Sequence, residues 1–171
     1  VEAPTPSLRG QRVTLRPATA DDRATLLAIF TSPGVPEWWR VTTEEQCRAL
    51  LDDADVSTLV VELDGTAVGL IQFGEESDPE YRHASIDIAI HGDRHHQGLG
   101  TDALRTLARH LLTARGHHRI TIDPAAANTA AIGCYTKVGF RPVGILRRYE
   151  RGLDGTFHDG LLMDLLAGEL T

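Results

Sequence analysis

The 171-residue chain has few cysteines, few aromatics, no long apolar run and a deficit of positive charge. Its two cysteines, Cys47 and Cys134, stand in no CxxC or metal-ligand spacing, so neither a disulfide scaffold nor a zinc site is expected and a reducing compartment is the natural setting. The longest apolar stretch, residues 161–167, is interrupted by Asp164 and falls far short of the roughly 20 residues a bilayer-spanning helix needs. Residues 1–10 carry prolines and polar side chains where a signal peptide would have a basic start and an apolar stretch. They are expected as an N-terminal extension of a single domain over residues 1–171, in a cytoplasmic protein. Lys and Arg total 17 against 24 Asp and Glu, a formal charge of −7. That field repels phosphate backbones and anionic lipid, so nucleic acid and membrane are not expected partners, and it attracts a small cationic substrate.

The composition, 42% hydrophobic and 24% charged, suits one globular domain with a sizeable core. Residues 12–16 alternate as a strand, and Asp21 and Asp22 offer acidic cap residues before Leu26, Leu27 and Phe30 at helical spacing. Thr42 or Thr43 caps a second helix carrying Cys47, Leu50 and Leu51. Residues 58–63 and 67–73 read as strands joined at Asp64 and Gly65, a type I′ hairpin signal. A strand over residues 84–90 leads through a glycine turn into an amphipathic helix with Leu104, Leu107, Ala108 and Leu111 on one face, ending near Arg115 and Gly116. Residues 119–122 form a short strand, Asn128 opens a helix to about Gly139, and residues 140–145 and 160–166 read as two more strands. The pattern predicts a mixed α/β domain with a βαβα core between Ala84 and Val138.

The turn His95, His96, Gln97, Gly98, Leu99, Gly100, Thr101 lies between a strand and a helix, where free N–H groups and the helix dipole favour an anion. It lacks the third glycine of a dinucleotide fingerprint and the Gly-Lys-Ser/Thr of a P-loop, and a short GxG is often only tight packing. Downstream stand Asn128, Ala131 and Tyr135 in an Asn-x-x-Ala-x-x-x-Tyr pattern. With this pair of motifs the chain resembles the GNAT superfamily of acyl-CoA-dependent N-acyltransferases. The resemblance implies a mixed, mostly antiparallel sheet flanked by helices, with acetyl-CoA as cosubstrate. Its pyrophosphate would lie on the glycine turn, and its pantetheine arm along Ile88, Ala89 and Ile90 and beside Asn128 and Ala131. His95 stands where the family usually has Arg or Gln; the main contacts there are backbone N–H groups.

Further segments narrow the resemblance. Glu37, Trp38 and Trp39, the acidic run with Glu75, Glu76 and Asp78, then Asp87 and Asp123, look like the aminoglycoside 6′-N-acetyltransferases. These would be substrate-binding residues, and the reaction a direct transfer to an amine within a ternary complex. The stretch over residues 147–166 also looks like acyltransferases for polyamines or protein N-termini, and a noncatalytic acyl-CoA-binding sensor is a rival of another class.

Asp87 is the candidate carboxylate for taking the acceptor's proton, directly or through water; the bland reading is a solvated strand aspartate. Tyr135, protonated at neutral pH, is the candidate donor to the departing thiolate, against a role as a core aromatic. Asn128 is also a helix cap, and Cys134 reads as a small buried residue rather than a nucleophile. One of Trp38 and Trp39 would wall a sugar ring or cation, and the acidic run is otherwise a solvated loop. His91, His95 and His96 lie on a loop that the coenzyme motif claims, so no metal is expected. A homodimer is left open.

Overall fold

The computed structural model describes residues 5–171. β1 (Leu8–Arg9) pairs with β2 (Val13–Pro17), followed by a 3-10 turn (Ala20–Asp22), α1 (Arg23–Phe30), α2 (Glu44–Leu51) and the strands β3 (Val56–Leu63), β4 (Thr66–Glu76) and β5 (His83–Ile90). Next come α3 (Leu99–Thr113), β6 (Arg119–Ile122), α4 (Thr129–Val138), β7 (Arg141–Arg151) and β8 (Phe157–Leu166). All eight strands join one sheet in the order β1-β2-β3-β4-β5-β6-β8-β7. Every neighbouring pair is antiparallel except β5 and β6, which the α3 crossover makes parallel.

Local chemistry sets most of these elements. Asp64 and Gly65 both take positive φ, 50° and 77°, as the type I′ hairpin between β3 and β4 demands. Thr43 caps α2, its hydroxyl accepting from the Gln46 N–H at 3.2 Å while the Gln46 carboxamide oxygen accepts from the Thr43 N–H at 3.1 Å. Asp22 does more than the expected acidic cap. Its carboxylate accepts two bonds from the Arg16 guanidinium, at 2.8 and 2.9 Å, and one from the Thr19 N–H at 2.7 Å, and Arg16 holds it at about 2, well below the usual carboxylate range.

Two cores lie on opposite faces of the sheet. On one face α3 lays Leu104, Leu107, Ala108 and Leu111 against Leu59, Ile71, Phe73 and Ile86. On the other, Leu26, Ile29 and Phe30 of α1 and Cys47 of α2 cover Val60, Leu70 and Ala89. Each fully buried leucine contributes about 1.5–3 kcal/mol through area removed from water.

The N-terminal stretch differs from its reading as an extension. Leu8 and Arg9 pair with Leu15 and Thr14, and Asp102 of α3 accepts from the N–H groups of Gln11, Arg12 and Val13 at 2.8–3.0 Å. Burial opposes the Asp102 charge, but those donors prevail and hold its carboxyl low. Gly10 lies so close to Thr106 and Asp102 that a Cβ there would stand 2.6 Å from the Thr106 hydroxyl. The segment from Leu8 onward is thus part of the sheet; the earliest positions, 1–4, lie outside the described residues. β7 and β8 also run longer than their sequence pattern suggested, because β7 is an edge strand exposed on both faces and so carries no alternation.

β6 pairs with β5 only at Ala84 and Ser85. Beyond that point the strands part, and β5 turns a free edge toward the gap. The His91 N–H still bonds the Val68 carbonyl at 2.8 Å, so by antiparallel alternation Ala89 faces β4 while Ile88 and Ile90 face the gap. Among the described residues, no helix is long and apolar enough to cross a membrane.

Candidate active site

The gap opens into a cavity of about 840 Å³ lined from both sides of the split sheet. At one end is the N-terminus of α3. Its cap, Gly98, has φ +77° and contributes no side-chain hydrogen bond, while Asp102 N is the first amide returned to the helix, bonding Gly98 O at 3.1 Å. The amides of Leu99, Gly100 and Thr101 therefore remain for a ligand, at the positive end of the helix dipole. A Cβ at Gly98 would meet nothing within 4 Å, so the turn presents bare backbone to an anion. Asp102 does not spoil this, since its carboxylate is turned to the β2 amides.

The wall opposite β5 is α4. Asn128 Oδ1 accepts from the Ala131 N–H at 3.1 Å, and Asn128, Ala131, Cys134 and Tyr135 all line the cavity. Tyr135 is 7% exposed. Burial first, then the charges of Asp87, Cys134 and Asp123, push its phenol far above the ordinary range, so it is protonated at any physiological pH. The Cys134 thiol bonds the Thr101 hydroxyl at 3.3 Å, and burial raises its pKa, as befits an unreactive packing residue.

At the far end, three carboxylates converge on the same cavity: Asp87 from β5, Asp123 just past β6, and Glu150 from β7. Water reaches the Asp87 carboxylate, yet protein crowds its other sides. That desolvation, followed by the like charges of Asp123 and Glu150, pushes its carboxyl up to about 7. Asp123 accepts a short hydrogen bond from the Tyr149 hydroxyl. This bond first, then partial burial, pushes the Tyr149 phenol up to about 12.

Trp38 and Trp39 both line the cavity. They differ in attachment: Trp39 packs on Phe30, ring centroids 5.1 Å apart, and donates its Nε1–H to the Ile88 carbonyl at 3.2 Å, whereas Trp38 is more open.

Four of the sequence candidates are not gathered here. Glu37 is exposed and outside the cavity lining. Glu75 lies at the other end of β4, its carboxylate 2.6 Å from His117 Nε2 and 3.6 Å from Arg115. Glu76 and Asp78 continue into an exposed turn, where the Glu76 carboxylate accepts from the Asp78 N–H at 2.9 Å. The physical reason is strand length: β4 runs on to Glu76, carrying the acidic run beyond the cleft floor at Asp87, which pairs with Gln72.

Among the cavity residues that sequence reasoning missed are Tyr149 and Glu150. They reach the cavity through an irregularity between Leu146 and Glu150, where Arg148 takes φ +49° and its N–H bonds the Asp159 carboxylate at 2.7 Å. Tyr149 then packs over Gly160, where an added Cβ would stand 2.9 Å from its ring. A bulge of this kind leaves no periodic signature in the sequence.

The arrangement matches known proteins in both sequence and shape. The chain is 30% identical to an aminoglycoside N(6′)-acetyltransferase type 1 of Klebsiella pneumoniae, with 77% of this chain and 75% of that protein covered. Its fold superimposes on Mycobacterium smegmatis RimJ in complex with CoA-disulfide at a TM-score of 0.81 and 28% identity, covering 96% and 88% of the two chains. The structure of AAC(6′)-Ib in complex with paromomycin and acetyl-CoA is similar at 0.75 and 26%, covering 92% and 94%. Residues 12–141, from the strand stitched to α3 through the glycine turn and α4, match the acetyltransferase (GNAT) domain model, and the chain belongs to that family.

Proposed function

We propose that the protein is an acetyl-CoA-dependent N-acetyltransferase acting on a cationic amine, the 6′-amine of an aminoglycoside being the acceptor the site fits best. One observation carries this reading: a single cavity joins a helix N-terminus that no side chain caps to three carboxylates, so an anionic donor and a polycationic acceptor have complementary ends. Likeness to aminoglycoside acetyltransferases over three quarters of the chain supports the acceptor class.

The coenzyme would supply its acetyl group as a thioester. The amides from His95 to Thr101 would bind the pyrophosphate, and Ile88, Ala89, Ile90, Asn128 and Ala131 would hold the pantetheine arm. An N–H on the gap side of β5, at Ile88, would polarise the carbonyl. Asp87 would accept the proton that the ammonium loses as its nitrogen attacks. A carboxyl near 7 suits that task, since about half of it is ionised at neutral pH and that half is basic enough to draw the proton. Asp123 and Glu150 would hold further ammonium groups, and Tyr135 would pass its proton to the departing sulfur while its oxygen takes up the second proton released by the acylated nitrogen.

A polypeptide N-terminus is the second acceptor class. It is favoured by the likeness to RimJ over 96% of this chain. Thiol release from acetyl-CoA, followed against a panel, separates the two. A 6′-amino aminoglycoside is expected to turn over while its 6′-hydroxyl counterpart does not. Peptides turning over in place of every aminoglycoside would reassign the acceptor, and no thiol release with any amine would defeat the reading.

A further inference from the structure

The connection between α1 and α2 is fastened to the open edge of β5. The Trp39 indole N–H donates to the Ile88 carbonyl at 3.2 Å. His95 Nε2 lies 2.7 Å from the Ile90 carbonyl, and because a carbonyl only accepts, this nitrogen carries the proton. The His95 ring stands against Gly34 of the same connection, whose Ser32 hydroxyl accepts from the Gly92 N–H at 2.8 Å. Ile88 and Ile90 are the residues whose backbone faces the gap. Both of their carbonyls are thus filled, one by a side chain of the tryptophan wall and one by a side chain of the glycine turn.

A pantetheine arm lying on β5 as an added strand brings two amide N–H donors and bonds through such gap-facing carbonyls. Trp39 itself lines the cavity, and its indole N–H occupies the Ile88 carbonyl that the arm would use. Resting on the coenzyme reading above, we propose that Trp39 is a positioning residue that ties acceptor binding to coenzyme binding. Its indole N–H stands in for a pantetheine amide on Ile88, and the arriving arm displaces it, moving the Trp38 and Trp39 wall into the position that receives the acceptor. The displaced indole keeps its ring contact with Phe30 as a pivot.

The chain has only two tryptophans, so Trp38→Phe leaves Trp39 as its single indole reporter. Titrating this variant with CoA, with calorimetry run in parallel, is expected to give a saturable change in indole emission whose midpoint coincides with that of the heat. Heat without a change in emission overturns the proposal and leaves the coenzyme reading standing; absence of heat overturns the coenzyme reading itself. Trp39→Phe keeps a ring against Phe30 but has no N–H to displace. Coenzyme binding should tighten about 2- to 10-fold while the acceptor KM, at saturating acetyl-CoA, rises by a similar factor. Lost packing alone would weaken both, so weakening of both, or no change in either, contradicts a positioning role.

Discussion

In the proposed function the coenzyme half of the cavity draws on nearly continuous chain, from β5 through the glycine turn into α3, with α4 following closely. The acceptor half gathers Trp38 and Trp39 from the α1–α2 connection, Asp87 from β5, Asp123 from the end of β6, and Tyr149 and Glu150 from an irregular edge strand. The first half works through backbone N–H groups, which any sequence supplies once glycine and a helix start expose them. The second works through side chains whose meeting depends on strand length and one bulge. A new acceptor could therefore be selected by changes in the second half without disturbing the first.

Breaking each half separately sharpens this contrast. The largest effect is expected from Asp87→Asn, which keeps the shape and removes the proton acceptor: kcat should fall about 100- to 10,000-fold with coenzyme affinity retained. The same variant has a stability signature. The Asp87 carboxyl is raised in the folded state, so its stabilising contribution is complete below about pH 4 and is lost as pH rises through about 7. Wild-type melting temperature should therefore fall relative to Asp87→Asn between those limits, and parallel melting curves across the range would contradict the crowded-carboxylate picture.

Tyr135→Phe keeps the ring and loses the donor; single-turnover rates should drop about 10- to 1000-fold. Full activity would reduce Tyr135 to packing. Gly100→Asp tests the coenzyme half. A Cβ there makes only ordinary contacts with Ile90 and Cys134, at 3.6 and 3.7 Å, so the fold should survive. The added bulk and charge should weaken acetyl-CoA binding roughly tenfold or more by calorimetry. An unchanged dissociation constant would displace the pyrophosphate from this turn. The smallest effect is expected from Glu76→Gln and Asp78→Asn, which lie away from the cavity: acceptor KM should change by less than about twofold. A tenfold rise would bring the acidic turn back into the acceptor site.

The same contrast explains what the sequence made legible. Asn128, Ala131 and Tyr135 fall on one helix and its cap at spacings that place them along one wall, and Gly98, at φ +77°, marks the turn that opens α3. Asp64 and Gly65 announced their hairpin because two positive φ values demand such residues. Glu75 was drawn toward Asp87 by proximity in sequence, but antiparallel pairing sets Glu75 against Ala84 and carries it to His117. Tyr149 and Glu150 were invisible because an exposed edge strand shows no alternation and a left-handed Arg148 is no turn signal. Sequence pattern reports what a residue does to its own backbone; it does not report which side chains a sheet register brings together.

The account stands most directly on the ionisation of Asp87, and the pH dependence of kcat/KM for the acceptor measures it. At saturating acetyl-CoA, two acceptors whose amines differ in basicity should both give a kcat/KM limb that rises with its midpoint near pH 7 and levels off about one pH unit higher, because the titrating group belongs to the enzyme. A limb that follows the basicity of the acceptor, or a rate that stays flat down to pH 5 as an ordinary carboxylate would give, contradicts the assignment of the proton to Asp87.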